Sequence, residues 1–196
     1  TGDSATATAT IINTPPAVAA ASVSPSTPTV SDTLTCTASG ASDADADSVT
    51  IATSWTVNDG DVGVSTATLT AGFAAGDRVR CAATPNDGEA SGVAVWSDPV
   101  TIVNSPPAAP VVSINPVSPQ TGDSLTVVID TASTDPDGDT VSYTYAWLKS
   151  GVDTGETGAT LSHTATAKGE SWSVVVTPTD GTGTGDSATA TATIIN

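Results

Sequence analysis

The sequence predicts an all-β protein: two tandem antiparallel β-sandwiches, preceded by one extra strand. Three observations lead there. Apolar and polar residues alternate in short runs along the chain, as in strands with one buried face. Turn signals separate the runs, at Asn58-Asp-Gly60, Asn86-Asp-Gly88, Asp137-Gly138 and Thr179-Asp-Gly181, with no helical pattern between them. The chain also repeats itself. Thr1–Asn13 reads TGDSATATATIIN, and so does Thr184–Asn196. Thr101-Ile-Val-Asn104 before Ser-Pro-Pro matches Thr10-Ile-Ile-Asn13 before Thr-Pro-Pro, which gives a period of about 90 residues. A unit of that size can bury one small core.

The elements follow in order. Residues 1–13 are the last strand of a preceding repeat, or a donor strand that completes the sheet of another subunit. The first unit spans 14–104, with strands at Thr33–Ala38, Val49–Trp55 and Arg78–Thr84. The second spans 105–196, with strands at Ser124–Ile129, Val141–Trp147 and Ser171–Thr177, and residues 184–196 as its last strand. The units align with small loop differences: Leu34-Thr-Cys36 on Leu125-Thr-Val127, Trp55 on Trp147, and Cys81 to Gly88 on Val174 to Gly181. The linkers Asn13-Thr-Pro-Pro16 and Asn104-Ser-Pro-Pro107 are short. Paired prolines fix φ and remove donors, so the joints read as stiff.

Two cysteines in a chain of extracellular character make a disulfide reasonable. The order Cys36, Trp55, Cys81 is that of an immunoglobulin-like (Ig-like) sandwich. There strands B and F face each other across the two sheets and an indole packs on their bridge. A Cys36–Cys81 disulfide is therefore expected, closing an interval of about 44 residues at a gain of roughly 4 kcal/mol. Val127 and Val174 hold the matching positions of the second unit, so burial alone serves there. The tyrosine-corner position carries Val79 and Trp172, a departure from antibody-type domains.

Composition excludes several classes of function. Four Lys plus Arg against 21 Asp plus Glu give a net charge of −17, and no basic face exists for nucleic acid. No apolar run is long enough to span a membrane in this window. An acidic surface suits high salt or divalent cations. His163, placed in strand E, has no second imidazole or thiol to work with, and no Gly-x-Ser-x-Gly elbow is present. Four Trp, two Tyr and one Phe are too few to wall a glycosidase cleft. Trp55 and Trp147 are core by position. Trp96 and Trp172 are the two aromatics available to a carbohydrate if exposed, and packing on a sheet face is the simpler expectation. No N-glycosylation sequon is present, and Thr- and Ser-rich strands beside proline leave O-glycosylation open. The chain is not expected to be an enzyme.

The acidic loops carry the one chemical constellation. Asp135-Pro-Asp-Gly-Asp139 sets carboxylates at alternate positions around a turn, and Asp43-Ala-Asp-Ala-Asp47 does so in the first unit. Three oxygen donors so spaced resemble the front of a calcium loop. An EF-hand is excluded, because Ala146 stands where its bidentate Glu belongs and the flanks are strands. In this sandwich the B–C and F–G loops share one end with the entering linker. One Ca²⁺ per joint is therefore expected: Asp43, Asp45, Asp47 and Asp87 near Asn13, and Asp135, Asp137, Asp139 and Asp180 near Asn104.

Asp135-Pro-Asp-Gly-Asp-Thr140, Tyr143-Thr-Tyr-Ala-Trp147, Val176-Thr-Pro-Thr-Asp-Gly181 and the Ile-Ile-Asn-x-Pro-Pro junctions resemble the tandem Ig-like repeats of giant surface and adhesin-like proteins of bacteria and archaea. The resemblance covers the whole chain. Cadherin-like and polycystic-kidney-disease-type repeats are looser matches, and the Trp-Asp-Phe-Gly-Asp-Gly signature of the latter is absent. Such families imply secretion, calcium-stiffened junctions and roles in adhesion or extracellular fibres. The expected function is a structural repeat of an extracellular filament or surface stalk, each domain adding roughly 40 Å. Its partners are other copies, joined in tandem or by donor-strand addition. The competing expectation is an adhesive module that recognises carbohydrate or a partner surface.

Overall fold

A computed structural model of the chain describes residues 4–195, and the chain divides into two compact units between Val103 and Asn104. Asn104 is bonded inside the second unit. Among the described residues there is no α-helix. One 3₁₀ turn, His163–Ala165, replaces strand at the position expected for His163.

The first unit contains β1 (Ala20–Ser24), β2 (Leu34–Ser39), β3 (Thr50–Val57), β4 (Gly60–Asp61), β5 (Thr68–Leu69), β6 (Arg78–Asn86), β7 (Val95–Trp96) and β8 (Val100–Thr101). They form two antiparallel sheets, β1-β2-β5 and β4-β3-β6-β7, with β8 also on β6. The second unit contains β9 (Val111–Asn115), β10 (Leu125–Thr131), β11 (Ser142–Lys149), β12 (Val152–Asp153), β13 (Thr160–Leu161), β14 (Ser171–Thr179) and β15 (Ala188–Thr193). Its sheets run β9-β10-β13 and β12-β11-β14-β15. Each unit is thus an A-B-E sheet facing a C′-C-F-G sheet, an Ig-like sandwich whose fourth strand pairs with C.

The alternation read in the sequence fills each core. Leu34 and Cys36 on β2, Trp55 on β3, and Val79 and Cys81 on β6 point inward in the first unit, together with Leu69 and Ile102. Leu125, Val127, Trp147, Trp172, Val174 and Val176 do so in the second. Both central indoles are fully buried and need an acceptor for Nε1–H. Trp55 donates to Thr66 O at 2.9 Å and Trp147 to Gly158 O at 2.8 Å. Cys36 and Cys81 are bonded, joining β2 to β6 across the sheets with Cα atoms 6.0 Å apart.

The C–C′ hairpins turn through two residues with positive φ, Asn58-Asp59 and Ser150-Gly151, which matches the right-handed strand twist. The last strand of the first unit is interrupted where Pro99 has no amide to give, and Ser97 fills the gap through both its amide and its hydroxyl against Cys81. In the second unit the last strand is continuous. Residues 4–12 are exposed and pair with nothing, since a strand needs a neighbour for its amides, and residues 1–3 lie outside the described residues.

Candidate functional site

The acidic loops and the entering linker meet in each unit. In the second unit the B–C loop closes on itself: Asp135 Oδ1 accepts the amides of Asp137 at 2.8 Å and Asp139 at 3.2 Å. Gly138, with φ of 82°, supplies the left-handed step. The F–G turn closes the same way, with Asp180 Oδ1 accepting the amides of Thr182 and Gly183 at 2.6 Å each. The remaining oxygens reach the linker. Asp180 Oδ2 accepts Asn104 Nδ2 at 2.8 Å, and Asp137 Oδ2 accepts the Ser105 amide at 2.6 Å. Ala108 N then bonds Thr134 O at 2.9 Å.

The first unit repeats this bond for bond. Asp43 Oδ1 accepts the amides of Asp45 and Asp47. Asp87 Oδ1 accepts those of Glu89 and Ala90, and its Oδ2 accepts Asn13 Nδ2 at 2.9 Å. Asp45 Oδ2 accepts the Thr14 amide at 2.7 Å, and Ala17 N bonds Ser42 O at 2.8 Å. Ala46 takes the place of Gly138 and is driven to a φ of 69°.

A second contact completes the clamp. Pro16 and Pro107 are buried, and their carbonyls lie over Gly92 and Gly185. A Cβ at either glycine would stand 1.8 Å from that carbonyl oxygen. Sequence reasoning missed this seat. Its one trace is a glycine ending each F–G loop, in Asp87-Gly-Glu-Ala-Ser-Gly92 and Asp180-Gly-Thr-Gly-Thr-Gly185.

Ten residues were expected around two cations, and the structure brings them together unevenly. Asn13 meets Asp87 and Asn104 meets Asp180, each amide donating to the carboxylate. Both oxygens of Asp87 and of Asp180 are engaged by N–H groups. Asp47 and Asp139 are exposed. Among the described residues no three His, Cys, Asp or Glu side chains converge to hold a metal ion. In the second unit, however, Asp135 Oδ2, Asp137 Oδ1, Ser105 Oγ and Ser133 Oγ are shielded from solvent and have no hydrogen-bond partner; in the first, Asp43 Oδ2 is the one such atom. A carboxylate oxygen cannot supply its own donor. An all-oxygen set of this kind fits a hard cation in the second unit better than in the first.

The hydrogen bonds set the electrostatics. The Asn104 amide, followed by the Gly183 and Thr182 backbone amides, holds the Asp180 carboxyl below its ordinary value. Asp87 is lowered first by the Ala90 amide, then by Asn13 and the Glu89 amide.

Val103 donates its amide to Pro28 O inside the first unit, and its neighbour Asn104 is bonded inside the second.

Away from the clamp, Trp172 is buried with its Nε1–H on Glu170, which Lys149 also engages. Trp96 is 44% exposed, and the Arg80 guanidinium lies 4.6 Å from its ring centre.

No protein-family model matches the chain, and no curated protein matches it. Solved structures of tandem domains do. The chain is similar to a segment of two fibronectin type III domains from chicken tenascin, at 17% identity over 87% of this chain and 95% of that one, with a TM-score of 0.40. It is similar to the FN1–FN3 domains of chicken CNTN1, at 14% identity over 92% and 67%, TM-score 0.37. It is also similar to three N-terminal domains of the Highly Immunogenic Outer Capsid protein of bacteriophage RB49, at 21% identity over 89% and 59%, TM-score 0.37. These neighbours are tandem Ig- and fibronectin-like domains; the fold itself rests on the strand order and register above.

Proposed function

We infer that this chain is a structural spacer: tandem Ig-like units of an extracellular filament or surface stalk, with joints made stiff by the linker clamp. One observation carries the reading. Each unit binds the linker that enters it in the same way, with Asn13 on Asp87 and the Thr14 amide on Asp45, and with Asn104 on Asp180 and the Ser105 amide on Asp137. A module that must sample many partners gains from a loose linker, whereas a spacer gains from a short one. The disulfide supports an oxidising, extracellular setting. The likeness to giant bacterial and archaeal surface proteins suggests where such a spacer would serve. The test is a spin-label pair, one label per unit, read by electron–electron distance measurement. A stiff joint gives one narrow distance distribution; a broad one, spanning tens of ångströms, overturns the reading.

Ca²⁺ is the second part of the proposal. The orphaned oxygens of Asp135, Asp137, Ser105 and Ser133 support a cation that would tie the B–C loop to the linker in the second unit. Asp43 Oδ2 alone supports one in the first. Calorimetric titration of chelator-treated protein should show binding, and saturating Ca²⁺ should raise the melting temperature of the second unit. Unchanged melting and no heat of binding remove Ca²⁺ from the reading and leave the clamp in place.

A second reading has its own observation. Exposed Trp96 lies beside Arg80, which with Asn58, Asp59, Arg78 and Pro99 lines a shallow pocket of about 190 Å³. An adhesive module contacting carbohydrate or an anionic partner would use this face. Binding on a glycan array that disappears with Trp96→Ala favours it; no binding by the parent chain rejects it.

A further inference from the structure

The same thirteen residues occur twice in this chain, in two environments. As Ala188–Thr193 they form β15, paired antiparallel with β14 from Ser171↔Thr193 to Val176↔Ala188. Ala190, Ala192 and Ile194 of that copy enter the core, Ile194 at 1% exposure. The Ile194 amide bonds Glu170 O, and the Ile195 amide bonds Pro119 O. In the other copy Ile11 is 91% exposed, Ile12 is 79% exposed, and residues 4–12 belong to no strand.

We propose that the β14 edge of the second unit accepts this strand in trans, from residues 5–12 of a second copy of the chain, in the register that Ala188–Ile195 occupies. Every contact made by β15 is available to the incoming segment, because the side chains are identical. The seat is selective. Two inward alanines followed by an inward isoleucine match a core already filled by Trp147, Trp172 and Val174, and larger residues at the alanine positions would not fit. The first unit offers no equivalent seat. Its last strand is split into β7 and β8 around Pro99, and Ser97 bonds Cys81 in the gap. Donor and acceptor therefore lie in different parts of the molecule. The contact is heterologous, and where the rotation between copies does not close a ring, repetition gives an open-ended, head-to-tail chain of copies.

Mass action sets when this occurs. With identical contacts, the resident strand and the incoming strand differ only in concentration, and a tethered strand enjoys an effective concentration on the order of millimolar. The parent chain is then monomeric at micromolar concentration. It exchanges strands at millimolar concentration, or whenever its own β15 is weakened.

The experiment weakens β15 and leaves the donor intact. Ile194→Asp places a carboxylate in a core position, whereas residues 5–12 of the same chain are unaltered. Analytical ultracentrifugation of this variant of the 196-residue chain, from micromolar to millimolar, should show species growing in steps of whole chains. The double variant Ile11→Asp/Ile194→Asp should remain monomeric. Equal behaviour of the two variants, whether both monomeric or both aggregated, overturns the proposal. Register is checked by mixing a Thr8→Cys chain with a Ser173→Cys/Ile194→Asp chain. Thr8 stands in the donor where Thr191 faces Ser173, so an intermolecular disulfide is expected, and its absence is a refutation. If the second unit of the Ile194→Asp chain is unfolded by itself, a peptide of residues 1–13 should restore its dispersed NMR spectrum. Restoration by the Ile11→Asp peptide as well, or by neither peptide, refutes the assigned seat. These readouts do not depend on joint stiffness or Ca²⁺, so failure here and failure of the spacer reading are separate results.

Discussion

Gly185→Ala tests the linker clamp most directly. The added Cβ would stand 1.8 Å from Pro107 O, 2.9 Å from Pro107 C and 3.1 Å from Pro178 Cγ. The first two are backbone atoms of the linker, so no rotamer change relieves them. The linker must retreat by roughly an ångström or more to restore ordinary packing. It is held on both sides of the collision, by the Ser105 amide on Asp137 and by Ala108 on Thr134, so retreat strains or breaks those bonds. Overpacking of this kind costs about 1–3 kcal/mol. In a domain of this size that is a fall in melting temperature of roughly 5–20 °C, confined to the second unit. Differential scanning calorimetry resolves the two transitions, and amide chemical shifts of Ser105 and Ala108 report whether the linker has left its seat. Gly183→Ala is the control. Its nearest neighbours would be 3.5 Å and more away, so the same methyl group costs little there. A Gly185→Ala protein that melts with its parent and keeps both amide shifts would show that the linker merely passes over the loops and is not seated on them.

The other predictions concern single features of each unit. Cys36→Ser/Cys81→Ser should lower the stability of the first unit by roughly 4 kcal/mol in chemical denaturation and leave the second unchanged. Ala46→Gly should raise the first unit by about 1 kcal/mol, because Ala46 sits at a φ of 69° that alanine resists; Gly138→Ala should lower the second by a similar amount, and equal melting of either pair removes the strain argument. Asp87 and Asp180 both have folded-state values depressed below 3.8, so their contribution is complete above that pH and is lost as the pH falls through the lowered values. Melting temperatures should hold steady down to about pH 5 and drop below about pH 4, with a shallower drop for the second unit in Asp180→Asn. An identical acid profile for that variant would count against the Asn104–Asp180 bond.

Much of the fold could be read because period-two alternation is a property of the residues themselves. The run ending at Trp55 became β3, the run from Arg78 became β6, and the Cys36-Trp55-Cys81 order gave the bridge. The short edge strands β4, β5 and β12, two residues each, left no trace because two residues carry no period, whereas β13 lies just ahead of the strand expected at His163. His163 fell in a 3₁₀ turn for a local reason: the Ser162 hydroxyl accepts the Thr164 amide and caps the turn. The acidic loops were legible as places and not as bonds. An Asp that accepts two amides within its own turn is written with the same letter as an Asp that ligates an ion, and the donors are backbone groups that every residue but proline carries. The seating of Pro107 on Gly185 was hidden for the same reason, since a glycine needed for clearance looks like one needed for a turn.

The two units secure their interiors differently and their joints alike. Where the first has Val79 and the Cys36–Cys81 bridge, the second has Trp172 and the pair Val127 and Val174. A buried tryptophan in place of a valine adds apolar area to a core that lacks a cross-link, and burial of a large side chain is worth a few kcal/mol, comparable to the bridge. Either solution holds B to F. At the joint no such freedom is used. Asn13 repeats as Asn104, Asp45 as Asp137, Asp87 as Asp180, Pro16 as Pro107 and Gly92 as Gly185, with the same atoms bonded and the same 1.8 Å clearance. A chain that served only to present separate domains would need the cores and could let the joints vary. Here the cores vary and these clamp contacts do not, which supports the spacer proposed above.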